Sequence, residues 1–128
     1  MAVLLLVEDH ADTRMMYAEF LREMFEVSQA ADGEAALALM RSRTPALVIT
    51  DLSLPQMDGF ELVKRIRSDH ALATIPVICL SGYSDGEHER RALDVGADVV
   101  LQKPCLPDQL AQTAVRLLRG RASLDLAR

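Results

Sequence analysis

The sequence predicts a doubly wound α/β domain, a parallel β-sheet with helices packed on both faces. Two observations predict it. Short apolar runs alternate with amphipathic stretches from one end of the chain to the other, joined by short connections. Such alternation demands parallel strands linked by right-handed crossovers. The strand candidates are also continuously apolar, as strands covered on both sides are. A chain of 128 residues, 50% hydrophobic and with formal net charge −5, has the make-up of one well-filled domain.

Residues 2–7 form the first apolar run, and the stretch after it carries Met16, Tyr17, Phe20, Leu21 and Met24 at helical spacing. Residues 27–30 are a weaker strand, turned by Ala31-Asp32-Gly33 into a helix with Ala36, Leu39 and Met40 on one face. Residues 46–50 are a third strand; Pro55 and Gly59 break the chain before a helix marked by Phe60, Val63 and Ile66. Residues 76–80 are the fourth strand. A polar helix over about residues 84–95 follows it, with only Ala92, Leu93 and Val95 to turn inward, so it is expected to pack weakly. Gly96 fits a helix C-terminus, residues 99–101 are the fifth strand, and Leu110, Ala114, Leu117 and Leu118 give the inward stripe of the last helix. Five such units fit the flavodoxin-like strand order 2-1-3-4-5, with the weak second strand at an edge and the ligand crevice between strands one and three.

Several function classes are disfavoured. The longest apolar run is far shorter than the roughly 18 residues of a spanning helix, and no secretion signal is present, which makes cytoplasm the expected compartment. A pI near 5.1 opposes binding to a phosphate backbone. Cys79 and Cys105 show no metal or redox-dithiol spacing and read as reduced packing residues. With no Trp, two Tyr and three Phe, stacking platforms for bases or flavins are scarce.

In a parallel sheet all C-terminal strand ends share one edge. Strand one runs into Glu8-Asp9, strand three into Asp51, strand four into Ser81 and strand five into Lys103. Carboxylates brought together this way repel unless a cation sits among them, and a hard all-oxygen set suits Mg²⁺. Lys103 and the Ser81 hydroxyl can serve the remaining oxygens of a phosphoryl group. No glycine-rich nucleotide cradle occurs, and a carboxylate can itself be the phosphoryl acceptor.

The motifs Val7-Glu8-Asp9, Ile49-Thr50-Asp51-Leu52-Ser53-Leu54-Pro55 with Met57-Asp58-Gly59, Leu80-Ser81-Gly82, Gly96-Ala97-Asp98 and Lys103-Pro104 occur in order. In these the chain resembles the response-regulator receiver domains of bacterial two-component signalling, over about residues 2–119. Strand order 2-1-3-4-5 is a property of that family, so it has no weight independent of the resemblance. The resemblance implies a domain over 1–119 and a short tail over 120–128. It implies that Asp51 is the phosphoacceptor, that Glu8, Asp9 and Asp51 with the Ser53 backbone carbonyl hold Mg²⁺, and that Lys103 pairs with the phosphoryl group. Ser81 would move toward the phosphoaspartate, and the Lys103-Pro104 peptide is expected to be cis. The implied donor is a sensor histidine kinase or a histidine phosphotransfer protein; the downstream target would be another protein, with no direct nucleic-acid or membrane contact. The domain would catalyse only its own phosphorylation and dephosphorylation, either standing alone or as part of a longer protein.

The family usually has Tyr or Phe three residues before the lysine, where this chain has Val100, and Cys105 stands where an apolar aromatic often follows Lys-Pro. Tyr83, two residues after Ser81, is placed to cover the phosphoryl group and slow attack by water. Asp58 reads as a turn or cap residue outside the site. His10 reads as a loop residue, and Met15, Met16 and Met24 as core filling. Arg116, Arg119 and Arg121 read as solvated complements to the last helix dipole. Two other functions fit the pattern less well. An Mg²⁺-dependent phosphatase with an Asp nucleophile in a D-x-D motif needs an acid two residues on, where Ser53 stands; a flavin carrier would have its phosphate repelled by the crevice carboxylates. A degenerate receiver that binds without phosphate is a further alternative.

Overall fold

The computed structural model describes residues 1–126, with side chains through residue 121. Its element order is β1 (Val3–Val7), α1 (Ala11–Leu21), β2 (Glu26–Ala30), α2 (Gly33–Ser42), β3 (Leu47–Asp51), α3 (Gly59–Ser68), β4 (Val77–Ser81), α4 (Gly86–Val95), β5 (Val99–Gln102) and α5 (Pro107–Leu126). All strand pairs are parallel, in the order β2-β1-β3-β4-β5. Alternate strand residues point to opposite faces, which divides the core in two. Leu5, Val7, Val48, Val77 and Cys79 pack beneath α2, α3 and α4, with Met40, Leu62 and Ile66 among their neighbours. Leu4, Leu6, Leu47, Ile49, Ile78 and Leu80 face α1 and α5, against Tyr17, Leu21, Leu110 and Ala114.

Three helices start on an aspartate whose carboxylate accepts a backbone N–H of the first turn: Asp32 from Ala35 (2.8 Å), Asp58 from Glu61 (2.9 Å) and Asp85 from His88 (2.9 Å). Asp58 is thus a cap, as expected. Gly96 ends α4 at φ 122°, a left-handed conformation that a Cβ disfavours.

The helix faces differ from the sequence pattern in places. On α1, Tyr17, Ala18 and Leu21 are buried, whereas Met15, Met16 and Phe20, and Met24 just beyond the helix, are exposed. The methionines are therefore not core filling: helical spacing identified an apolar surface, but only part of it faces the sheet. Leu93 is exposed too, leaving Ala92 as the buried residue of α4. The last helix continues through most of the segment expected as a tail; residues 127–128 of that segment lie outside the described residues. Arg116, Arg119 and Arg121 accordingly sit within α5 and not in its last turn, and Arg121 donates to the Thr74 carbonyl. No helix among the described residues is long and apolar enough to cross a membrane.

Candidate functional site

The C-terminal edge of the sheet brings together the residues that end its inner strands. Asp51 is the last residue of β3 and Ser81 of β4; both are buried, as is Glu8 just beyond β1. Their placement follows from register, since Val7 pairs with Thr50 and Asp51 with Leu80. Lys103 follows β5, its backbone N–H donating to the Ser81 carbonyl at 2.7 Å. Its ammonium pairs closely with Asp51 Oδ2 and lies 3.3 Å from Glu8 Oε1. The other Asp51 oxygen, Oδ1, accepts the Ser53 N–H at 3.0 Å. Both oxygens of the carboxylate are thereby held. The Lys103-Pro104 peptide is cis.

The charges are unequal. The carboxylates of Glu8 and Asp51 share one ammonium, and burial, with repulsion from Asp51, raises the Glu8 pKa against the opposing His10 N–H and Lys103. Burial alone would lower the Lys103 pKa, but its hydrogen bond to Asp51 and the charges of Asp51 and Glu8 outweigh it and hold it above the usual lysine value. Asp9 Oδ1 is buried and has no hydrogen-bond partner. Glu8, Asp9 and His10 each place a ligand atom within 4.8 Å of the others, and carboxylate oxygens so grouped suit a hard cation such as Mg²⁺.

Ser81 is fully buried, but its hydroxyl is turned to Tyr83: it accepts the Tyr83 N–H (3.1 Å) and donates to the Tyr83 carbonyl (3.3 Å). Tyr83 Oη lies 3.5 Å from Ser53 Oγ, across the mouth of the site. Tyr83, His88, Phe60, Arg91, Ser53 and Asp9 are among the residues lining an open groove of about 470 Å³ at this mouth.

Comparison with known proteins shows the family and the fold. A family model described as the response regulator receiver domain matches residues 4–115. The chain belongs to the response-regulator receiver domains. A gliding motility regulatory protein of Myxococcus xanthus is 40% identical over 115 residues, covering 88% of this chain but only 15% of that protein. The receiver spans a small part of that relative's length. Among solved structures, the signal receiver domain of a histidine kinase from Syntrophus aciditrophicus aligns with TM-score 0.87 at 33% identity, covering 94% of this chain and 92% of that one. The chemotaxis response regulator CheY4 of Vibrio cholerae aligns with TM-score 0.85 at 34% identity, covering 91% and 98%.

Within this receiver Val100 is half-buried and packs against the core beneath α2, α3 and α4. Cys105 is buried on the opposite face, and its carbonyl accepts the Tyr17 hydroxyl at 2.7 Å. Three residues outside the expected site also shape it. Arg14 donates from α1 to the Glu8 carbonyl at 2.8 Å and fixes the acidic loop. Gly59 lets α3 approach β3: a Cβ there would lie 2.3 Å from the Asp51 carbonyl oxygen and 2.6 Å from Leu52 Cα. His10, read as a loop residue, places Nδ1 3.4 Å from Asp9 Oδ1 and 3.5 Å from Glu8 Oε2 while its ring stays largely exposed. In the sequence the Asp58-Gly59 pair reads as a turn and as part of the family motif, neither of which shows the close approach of α3. For Arg14 no spacing rule applies, because its contact reaches back across the loop.

Proposed function

We propose that this receiver accepts a phosphoryl group on Asp51 from a phosphohistidine donor, on a histidine kinase or a phosphotransfer protein, and relays the signal through a changed protein-binding surface. The observation that carries the proposal is the Asp51 carboxylate held by Lys103 and Ser53, with Lys103 also reaching Glu8 of the Glu8-Asp9 acidic pair. In the transfer step an Asp51 oxygen forms a bond to phosphorus as the phosphorus–nitrogen bond of phosphohistidine breaks, and the imidazole leaves with its electron pair. Lys103, already on Asp51, offsets the charge gathering on the phosphoryl oxygens. Glu8, Asp9, Asp51 and the Ser53 carbonyl would hold Mg²⁺, which when bound neutralises the carboxylates and orients the phosphoryl group. Ser81 would give up its Tyr83 contacts to donate to the phosphoaspartate, with Val100 and Pro104 flanking the segment that responds. Tyr83 lies across the mouth and restricts access of water to the acyl phosphate, whose hydrolysis returns the Asp51 carboxylate and inorganic phosphate.

The test is incubation with acetyl phosphate and Mg²⁺, then with a histidine-kinase donor, read by intact mass. The expected result is an acid-stable, base-labile phosphoryl adduct on the wild type that EDTA prevents and Asp51→Asn lacks. No adduct from either donor would overturn the proposal in favour of phosphate-independent binding. Tyr83→Ala is expected to speed loss of the phosphoryl group, and an unchanged rate would remove the shielding role.

A further inference from the structure

Tyr83 belongs to a column of side chains that begins on the helix behind it. Asp85 caps α4, its Oδ1 accepting the His88 backbone N–H at 2.9 Å. The same oxygen lies 2.6 Å from Nδ1 of the His88 ring. The imidazole is stacked on Tyr83 with centroids 3.8 Å apart and planes 11° from parallel. On α3, Phe60 flanks the imidazole at 6.2 Å, and the Arg91 guanidinium of α4 lies 4.1 Å over the Phe60 ring. At the far end, Tyr83 Oη reaches Ser53 beside Asp51.

Tyr83 is 38% exposed, so little core packing holds its ring. An exposed tyrosine samples several rotamers unless something selects one. Here the selecting contact is His88, itself fixed by a carboxylate that the helix start already orders. We propose that His88 is a positioning residue for the phosphorylation site: its ring, stacked on Tyr83, latches Tyr83 over the mouth and thereby sets the lifetime of the phosphorylated state. The latch does not touch the reacting atoms and acts only through Tyr83. It rests on the proposed phosphorylation of Asp51 and on Tyr83 as the shield.

The experiment measures phosphoryl loss by intact mass after removal of the donor, in wild type, Tyr83→Ala, His88→Ala, His88→Phe and Tyr83→Ala/His88→Ala. His88→Ala is expected to shorten the half-life by roughly threefold to tenfold, the range that loss of one aromatic stacking contact supports. The double variant is expected to be no faster than Tyr83→Ala alone, since both act through one ring. His88→Phe, which keeps a stacking face, is expected to recover most of the wild-type lifetime. NMR of the Tyr83 ring in unphosphorylated protein gives a second reading: its ring-current shift should vanish in His88→Ala and persist in His88→Phe. Faster loss from Tyr83→Ala with no change in His88→Ala would overturn the latch and leave the shield standing. His88→Phe behaving like His88→Ala would overturn it too, as would a Tyr83 ring shift unmoved in His88→Ala. An unchanged rate in Tyr83→Ala would remove shield and latch together.

Discussion

Gly59 and Glu8 show how single positions shape the site. At Gly59 a Cβ would meet backbone atoms of Asp51 and Leu52, which cannot swing aside as a flexible side chain can. Gly59→Ala is therefore expected to destabilise the fold by about 1–3 kcal/mol, the usual cost of overpacking, in chemical denaturation. Replacing the Asp58 cap with alanine should cost about 1 kcal/mol in the same measurement. Glu8 is buried and its pKa is raised, chiefly by burial, so its charged form opposes folding when no cation is present. Glu8→Gln should raise Tm in EDTA and reduce the gain in Tm that Mg²⁺ gives the wild type; an unchanged Tm in EDTA would contradict the strain assigned to this carboxylate. The acidic residues and Lys103 were legible in the sequence because a parallel sheet aligns its strand ends. His88 and Arg14 were not, since their contacts depend on side-chain directions across loops that spacing does not encode.

Among the elements, α4 stands apart. Ala92 is its buried residue, whereas α3 buries Phe60, Leu62, Val63 and Ile66 along with Gly59. With little apolar area holding it down, α4 should open at lower free energy than the other helices. Native-state hydrogen exchange is expected to show faster exchange across residues 86–95 than across α1, α2 and α3, and equal protection would argue against weak docking. A phosphoryl group adds about −1.5 to −2 charge, and a loosely packed neighbour is the element such a charge biases most easily. The weakness of α4 was legible in its composition. The orientation of α1 was not: Tyr17 and Leu21 face the sheet while Met16 and Phe20 remain exposed, because an apolar surface wider than its contact leaves part of itself uncovered.

At the scale of the molecule, the sheet separates two cores, with Cys79 buried in one and Cys105 in the other. Burial pushes the Cys79 thiol up to about 12. In the unfolded chain the thiol ionises near its ordinary value of 9.0, so the folded state binds more protons above that pH. Stability should therefore fall as pH rises from about 9 toward 12, and Cys79→Ala should flatten that alkaline decline in Tm. At pH 8 a thiol-specific reagent is expected to label Cys79 only on unfolding, and labelling of the native protein at the free-thiol rate would contradict its burial.

The sequence by itself determined the alternation of strands and helices, the sheet edge on which Glu8, Asp9, Asp51, Ser81 and Lys103 meet, and the polar character of α4. Those features follow from periodicity and from topology, which are written along the chain. Tertiary structure alone decided that the Ser81 hydroxyl engages Tyr83, that His88 stacks on that ring, and that α3 comes close enough to Asp51 to require Gly59. The first two depend on side-chain rotamers and the third on a close approach of α3 to β3, all of which packing selects only once the sheet is assembled.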